Sequence, residues 1–229
     1  MKKVLKVIGW ICLVLASIAV LFIGKGFSLY QEAITMTPIK EKVEQVRQKE
    51  NFTAINELPR IYTDAVISTE DHRFYSHSGI DIIGIGRAVL HDIQAWDFVE
   101  GGSTITQQVA KNMYFSQEKK ITRKIAEVFL AFDLEKQYTK KEILELYLNT
   151  SYFGEGCYTV KEATRIYFAK EPNQMTPKEA IMLAGIPNAP SVYAPTRNLE
   201  LAKKRQLQVA NQMVRHGYLT QEEKNKILQ

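Results

Sequence analysis

The sequence predicts a mainly α-helical domain behind one N-terminal transmembrane helix, and three observations predict it. VIGWICLVLASIAVLFIG, from Val7 to Gly24, runs 18 residues without a charge. Three Thr-x-x-Glu boxes, at Thr139, Thr176 and Thr220, mark helix starts. Apolar residues recur with a helical period, and no segment sustains the period-two alternation of a half-buried strand.

At 1.5 Å per residue the apolar run is about 27 Å long, close to the roughly 30 Å hydrocarbon core of a bilayer. A cleaved signal peptide is the competing reading, but its apolar region is usually shorter and ends at a small-x-small site. Ala16-Ser17-Ile18-Ala19 fits that site poorly and the run continues past it, which favours a retained anchor. Lys2, Lys3 and Lys6 precede the run, so the N-terminus is expected in the cytoplasm and everything after Lys25 outside. The expected divisions are residues 1–6, a cytoplasmic N-terminus; 7–24, the span; 25–57, a juxtamembrane segment; and 58–229, the domain. Within the juxtamembrane segment, charge alternation from Lys40 to Glu50 suggests an exposed helix.

Thr139-Lys140-Lys141-Glu142 is a capping box ahead of Ile143, Leu144, Leu146, Tyr147 and Leu148. Thr176 to Glu179 repeats it with Pro177 at the first helical position. The box from Thr220 to Glu223 follows Gly217, expected to close a helix that begins near Leu199. Gly84 and Gly86 make no nucleotide fingerprint, because the strand, GxGxxG, helix order is missing.

Charge narrows the partners. Setting aside Lys2, Lys3 and Lys6 leaves 27 of the 30 basic residues against 25 acids, too even for a nucleic-acid-binding face. Cys12 lies in the anchor and Cys157 stands alone outside it, so stability must come from packing, as suits a bacterial envelope protein.

Three stretches could carry chemistry. EDHRFYSHSG, residues 70–79, gathers two acids, two histidines and an arginine; it reads either as a polar helix end turning at Gly79 or as a reactive segment. GGSTITQQVAKN, residues 101–112, follows two glycines with three hydroxyls and two carboxamides. A helix start capped by Ser103 or Thr104 explains some of these, and the remainder, with Lys111, suits a sugar or a phosphate. ITRKIAEVFLAF, residues 121–132, places Ile121, Ile125, Val128, Phe129 and Phe132 on one arc, expected to face the core. Arg123, Lys124 and Glu127 share another arc, either a solvated ion-pair face or a charged site. Residues 80–99, rich in Ile with Trp96 and Phe98, read as core or as a surface dipping into the bilayer. His72, His77, His91 and His216 show no metal-ligand spacing. Ser116-Gln117-Glu118-Lys119 matches SxxK but lacks the companion acyl-transferase motifs and is read as coincidence.

In this order the segments resemble the peptidoglycan glycosyltransferases, glycosyltransferase family 51: EDHRFYSHSG for ED-x-x-F-x-x-H-x-G, then GGSTITQQ, RKIAE for RK-x-x-E, and KKEILELYLN followed by YFGEG. The match covers roughly residues 58–218. It implies a lysozyme-like fold with a helical head lobe and a smaller jaw lobe against the membrane. The implied reaction polymerises lipid II into β-1,4-linked glycan with inversion and release of the undecaprenyl-pyrophosphate carrier.

By that resemblance Glu70 is the base and Glu127 a second catalytic glutamate near the pyrophosphate, either holding a divalent cation (Mg or Mn) or orienting Arg123 and Lys124. Lys111, Arg123 and Lys124 would neutralise the leaving diphosphate. Ser103, Thr104, Thr106, Gln107 and Gln108 would line the sugar and phosphate path, with Asn112, Asp71, Phe74 and His77 at the site, Asp71 and His77 mainly structural. No organic cofactor is implied. Lipid II, the growing strand and the bilayer are the implied partners, with penicillin-binding transpeptidases as further candidates and no nucleic acid. The chain, without a transpeptidase domain, looks like a monofunctional member. It departs from the family in GCYTVKEAT, residues 156–164, where Thr159 replaces a usual glycine and puts local packing in question. A lysozyme-like glycan-cleaving enzyme and a non-catalytic lipid II-binding scaffold are the alternatives.

Overall fold

A computed structural model describes residues 2–95, 102–116, 118 and 120–229. Among these the regular structure is helical, with only the isolated bridges Ser78–Ile80 and Gly154–Cys157 in place of strands. The helices are α1 (Lys2–Met36), α2 (Ile39–Arg47), α3 (Arg60–Glu70), α4 (Ile82–Ala95), α5 (Ile105–Tyr114) and α6 (Ile121–Gln137), then α7 (Lys140–Leu148), α8 (Val160–Phe168), α9 (Pro177–Gly185), α10 (Pro190–Tyr193), α11 (Leu199–Arg215) and α12 (Gln221–Leu228). Trp96, Phe98, Gly101, Gln117 and Lys119, on which parts of the sequence reading fall, lie outside the described residues.

All three expected capping boxes form, at the starts of α7, α9 and α12, each threonine hydroxyl accepting from the N–H three residues on. Two more appear. Thr104 caps α5 with Gln107, and Thr159 caps α8 with Glu162. The departure at Thr159 is therefore a helix start, and each such cap contributes about 1 kcal/mol.

α1 differs from its expected bounds. It is long and apolar enough to cross a membrane, but it continues as helix well past Gly24 and packs along α6. A Cβ on Gly26 would lie 2.5 Å from Ile125 Cγ2, so only glycine permits this approach. Phe27 and Tyr30 then meet Phe129, at ring separations of 5.2 and 5.7 Å, and the Tyr30 hydroxyl donates to Asp133. α2 is likewise not a free exposed helix, because Ile39, Val43 and Val46 are buried in the core.

This packing corrects the expected orientation of α6. Ile121 is 64% exposed, whereas Ala126, Glu127, Leu130, Ala131 and Leu134 form the buried face. The large apolar residues of the other arc serve as the seat for α1 and, through Phe132, for Gly79. Small alanines let α6 approach α5 closely instead.

The core centres on Tyr62, Ile67, Phe74, Leu130, Leu144, Tyr147 and Phe153. α3 is covered by α9 and α11, and α5 lies against α6 and α7. Each fully buried side chain of this size contributes about 1.5–3 kcal/mol. The consequence for function is placement: α3, α5 and α6 bring the three chemistry-bearing stretches together.

Candidate active site

Glu70 is the last residue of α3, and the helix stops because Asp71 takes φ −162, outside the helical range. Its Oε2 accepts a hydrogen bond from Gln108 Nε2 at 2.9 Å, which ties the end of α3 to the middle of α5. Burial raises the Glu70 carboxyl above its ordinary pKa; Gln108, Arg205 and Lys111 pull the other way without cancelling the rise, and Asp71 adds to it.

Asp71 does not face outward. It accepts from the backbone N–H of Ile105 at 3.0 Å and lies 2.9 Å from His77 Nε2. Phe74 is fully buried, with the Lys140 ammonium 4.5 Å above its ring. Gly79 closes the stretch with φ +73, and a Cβ there would meet Phe132 at 2.9 Å.

The GGSTITQQ segment divides in two. Thr104 donates to the Gly79 carbonyl at 2.6 Å and exchanges cap hydrogen bonds with Gln107. Thr106, 0% exposed, donates to Glu135 Oε1 at 2.6 Å. These three side chains, with Phe74, therefore hold the segment in place, and none is open to a passing ligand. Ser103 and Gln108 do reach the site: Lys124 Nζ donates to Ser103 Oγ at 2.5 Å, and Gln108 holds Glu70.

On α6, Glu127 is 1% exposed and has both oxygens engaged, Oε1 by Arg123 Nη1 at 2.5 Å and Oε2 by Lys124 Nζ at 3.1 Å. Lys111 stands between the two glutamates. Its burial lowers its pKa; Glu127 and Glu70 raise it, Arg123 and Lys124 lower it, and the net is down. The arrangement is a buried carboxyl on one side and a three-cation cluster on the other. Asn112, also expected at the site, lines a separate cleft with Lys42, Lys49 and Tyr158.

A protein-held metal ion does not fit these donors. Glu127 already serves two cations, and among the described residues no group of three His, Cys, Asp or Glu is placed to hold one.

The structure also brings in groups that no motif flagged. Arg205 of α11 reaches the field of Glu70, its Nε donating to the Gly185 carbonyl at 3.3 Å. Tyr62 and Tyr147 are fully buried, and each feels the charge of Glu70. In the sequence Arg205 is one cation of an ordinary amphipathic helix, and the tyrosines are indistinguishable from other core residues.

A buried carboxyl set against a cation cluster can take up a proton on one side and offset negative charge on the other. The chain belongs to the Transglycosylase family, whose model matches residues 37–214. It is 46% identical over 181 residues to penicillin-binding protein 1A of Neisseria flavescens, covering 79% of this chain and 23% of that one. It is 45% identical over 170 residues to penicillin-binding protein 1F of Bacillus subtilis, covering 74% and 24%. The chain thus spans about a quarter of the length of these curated relatives. A crystal structure of penicillin-binding protein 1A from Haemophilus influenzae is similar with a TM-score of 0.47 at 23% identity, over 78% of this chain and 17% of that one.

Proposed function

We propose that this chain is an inverting peptidoglycan glycosyltransferase that polymerises lipid II into β-1,4-linked glycan at the outer face of a bacterial membrane. The observation that carries the reading is the pairing of Glu70, raised by burial, with Lys111, Arg123 and Lys124. A carboxylate that binds its proton more tightly than usual is a better base toward an alcohol near neutral pH. The acceptor's 4-hydroxyl attacks the anomeric carbon as Glu70 takes its proton. A new C–O bond forms, the bond to the lipid pyrophosphate breaks, and the three cations offset the charge that accumulates on the departing phosphate. Glu127 keeps Arg123 and Lys124 aligned.

A glycan-cleaving enzyme also needs a carboxyl, but not a cation cluster beside it. The α1 helix supports a membrane location, since an enzyme held in the bilayer meets a lipid-linked substrate at raised effective concentration. The lysines before α1 support a cytoplasmic N-terminus with the site outside. Because the reaction makes no peptide cross-links, a penicillin-binding transpeptidase is the proposed working partner.

The test is polymerisation of labelled lipid II by the purified protein in detergent, resolved on a gel. Glycan ladders from the native protein and none from Glu70→Gln are expected. Full-rate ladders from that variant would remove Glu70 as the base, and release of fragments from preformed wall would replace synthesis with cleavage.

A further inference from the structure

The cleft that receives Asn112 is separate from the pair of glutamates. It holds about 180 Å³ and is lined by Lys42 and Gln45 of α2, by Lys49 in the turn after it, by Asn112 of α5, and by Thr150 and Tyr158 beyond α7. Lys42 and Gln45, three residues apart on α2, share one face, and Lys49 joins them at the cleft from the turn that follows. Among the described residues neither lysine has an acidic partner within 4 Å; the Lys42 ammonium lies 5.8 Å from the centre of the Tyr114 ring, and Gln45 Nε2 donates to Glu41 Oε1 at 3.3 Å. Tyr158 is 56% exposed, and its ring lies 4.9 Å from that of Tyr152.

Two lysines without an acidic partner among the described residues, the carboxamides of Gln45 and Asn112, and an exposed tyrosine ring form a set that can recognise a carboxylate-bearing saccharide. Amides and hydroxyls meet sugar hydroxyls, ammonium groups meet carboxylates, and an aromatic ring covers the apolar face of a pyranose. The volume is below the roughly 300 Å³ of a drug-sized pocket, so one ring or one acidic branch fits at a time.

A phospholipid headgroup is the other anion within reach of a membrane protein. A comparison with inorganic phosphate separates such a headgroup from a saccharide. Asn112 follows Gln108 by one helical turn, about 6 Å along α5, so the cleft adjoins the helix that holds Glu70.

We propose that this cleft is a secondary glycan subsite, which holds a carboxylate-bearing unit of the nascent strand outside the catalytic centre. The proposal rests on the glycosyltransferase reading for the identity of the strand. Its role is retention: a strand held there stays with the enzyme between additions.

The experiment uses the full-length protein in nanodiscs with two assays. Binding of soluble, uncross-linked glycan oligomers that retain their peptide carboxylates is measured by calorimetry, with neutral chito-oligosaccharide and inorganic phosphate as comparison probes. Lys42→Ala/Lys49→Ala and, separately, Tyr158→Ala are expected to weaken oligomer binding at least tenfold. They should shorten the glycan product while the rate of the first addition stays within twofold of native. Oligomer affinity and product length equal to native in both variants would overturn the subsite, as would phosphate binding as tightly as the oligomer. Binding that depends on the lysines in a protein that never polymerises lipid II would retain the subsite and remove the glycosyltransferase reading instead.

Discussion

The Asp71 carboxylate accepts a hydrogen bond from the backbone N–H of Ile105 at 3.0 Å, across 34 residues of sequence. Ile105 is the first residue of α5, so a negative group sits where a helix N-terminus favours one. The same carboxylate holds His77. Through one side chain the turn after Glu70 is fixed to the helix that carries Gln108 and Lys111.

Asp71→Ala leaves two buried donors without an acceptor, at about 1–3 kcal/mol each. The expected loss is about 3 kcal/mol, or roughly 6–12 °C in melting temperature for a domain of this size. Asp71→Asn keeps an acceptor oxygen and should lose less than half as much. Equal losses in thermal unfolding followed by circular dichroism would show that these hydrogen bonds are not the cause.

Glu70→Gln should separate activity from stability. The folded protein raises this carboxyl above the ordinary glutamate value of about 4.3, chiefly by burial. A group whose pKa is raised on folding favours the folded state fully below the unfolded value, and that contribution is lost as pH climbs through the folded one. At neutral pH the native charge is thus a burden. Glu70→Gln is expected to raise the melting temperature by about 2–4 °C for each kcal/mol relieved, while polymerisation is lost.

The acid limb of the native pH–rate profile should, for the same reason, lie above the ordinary glutamate value. Activity falls as pH drops through the raised pKa, because the base becomes protonated. A limb at or below about 4.3 would contradict the buried environment.

Glu127 is the carboxylate that does most to hold the charge of Lys111 against burial. In Glu127→Gln the Lys111 pKa should fall further, so the alkaline limb of kcat moves to lower pH than in the native protein. The variant also removes the counterion of Arg123, at a cost of about 2–3 kcal/mol given the partial exposure of Lys124. An unmoved alkaline limb would show that Lys111 does not act through its charge.

Gly26→Leu should part α1 from α6, because the added Cβ alone meets Ile125 Cγ2 at 2.5 Å. Hydrogen exchange over residues 121–137 is expected to rise and polymerisation to fall, with α1 still inserted. Native exchange in that variant would show that α6 does not depend on the contact.

The legible parts of this molecule were those encoded by neighbours in sequence. Thr139, Thr176 and Thr220 announce their helices because a cap and its partner lie three residues apart. Arg123, Lys124 and Glu127 converge as their spacing requires, for the same local reason. The orientation of α6 was not legible, since its apolar arc had two candidate partners, the core and α1, and sequence spacing does not choose between them. Nor was the sorting of EDHRFYSHSG and GGSTITQQ into exposed and buried polar groups. Thr106 faces Glu135 and Thr104 faces Gly79 only once α5 and α6 are docked. Arg205 enters from a helix whose local pattern says nothing of Glu70.

The contacts of α1 with α6 at Gly26, Phe27 and Tyr30 turn an anchor into a gauge. A flexible tether would let the site wander over a range of heights, whereas a continuous helix locked at its upper end fixes one stand-off from the lipid. Under the proposed reaction, hydrophobic thickness becomes a variable of catalysis: a thicker or thinner bilayer would tilt or shift α1, and Glu127 would move with it relative to the lipid pyrophosphate.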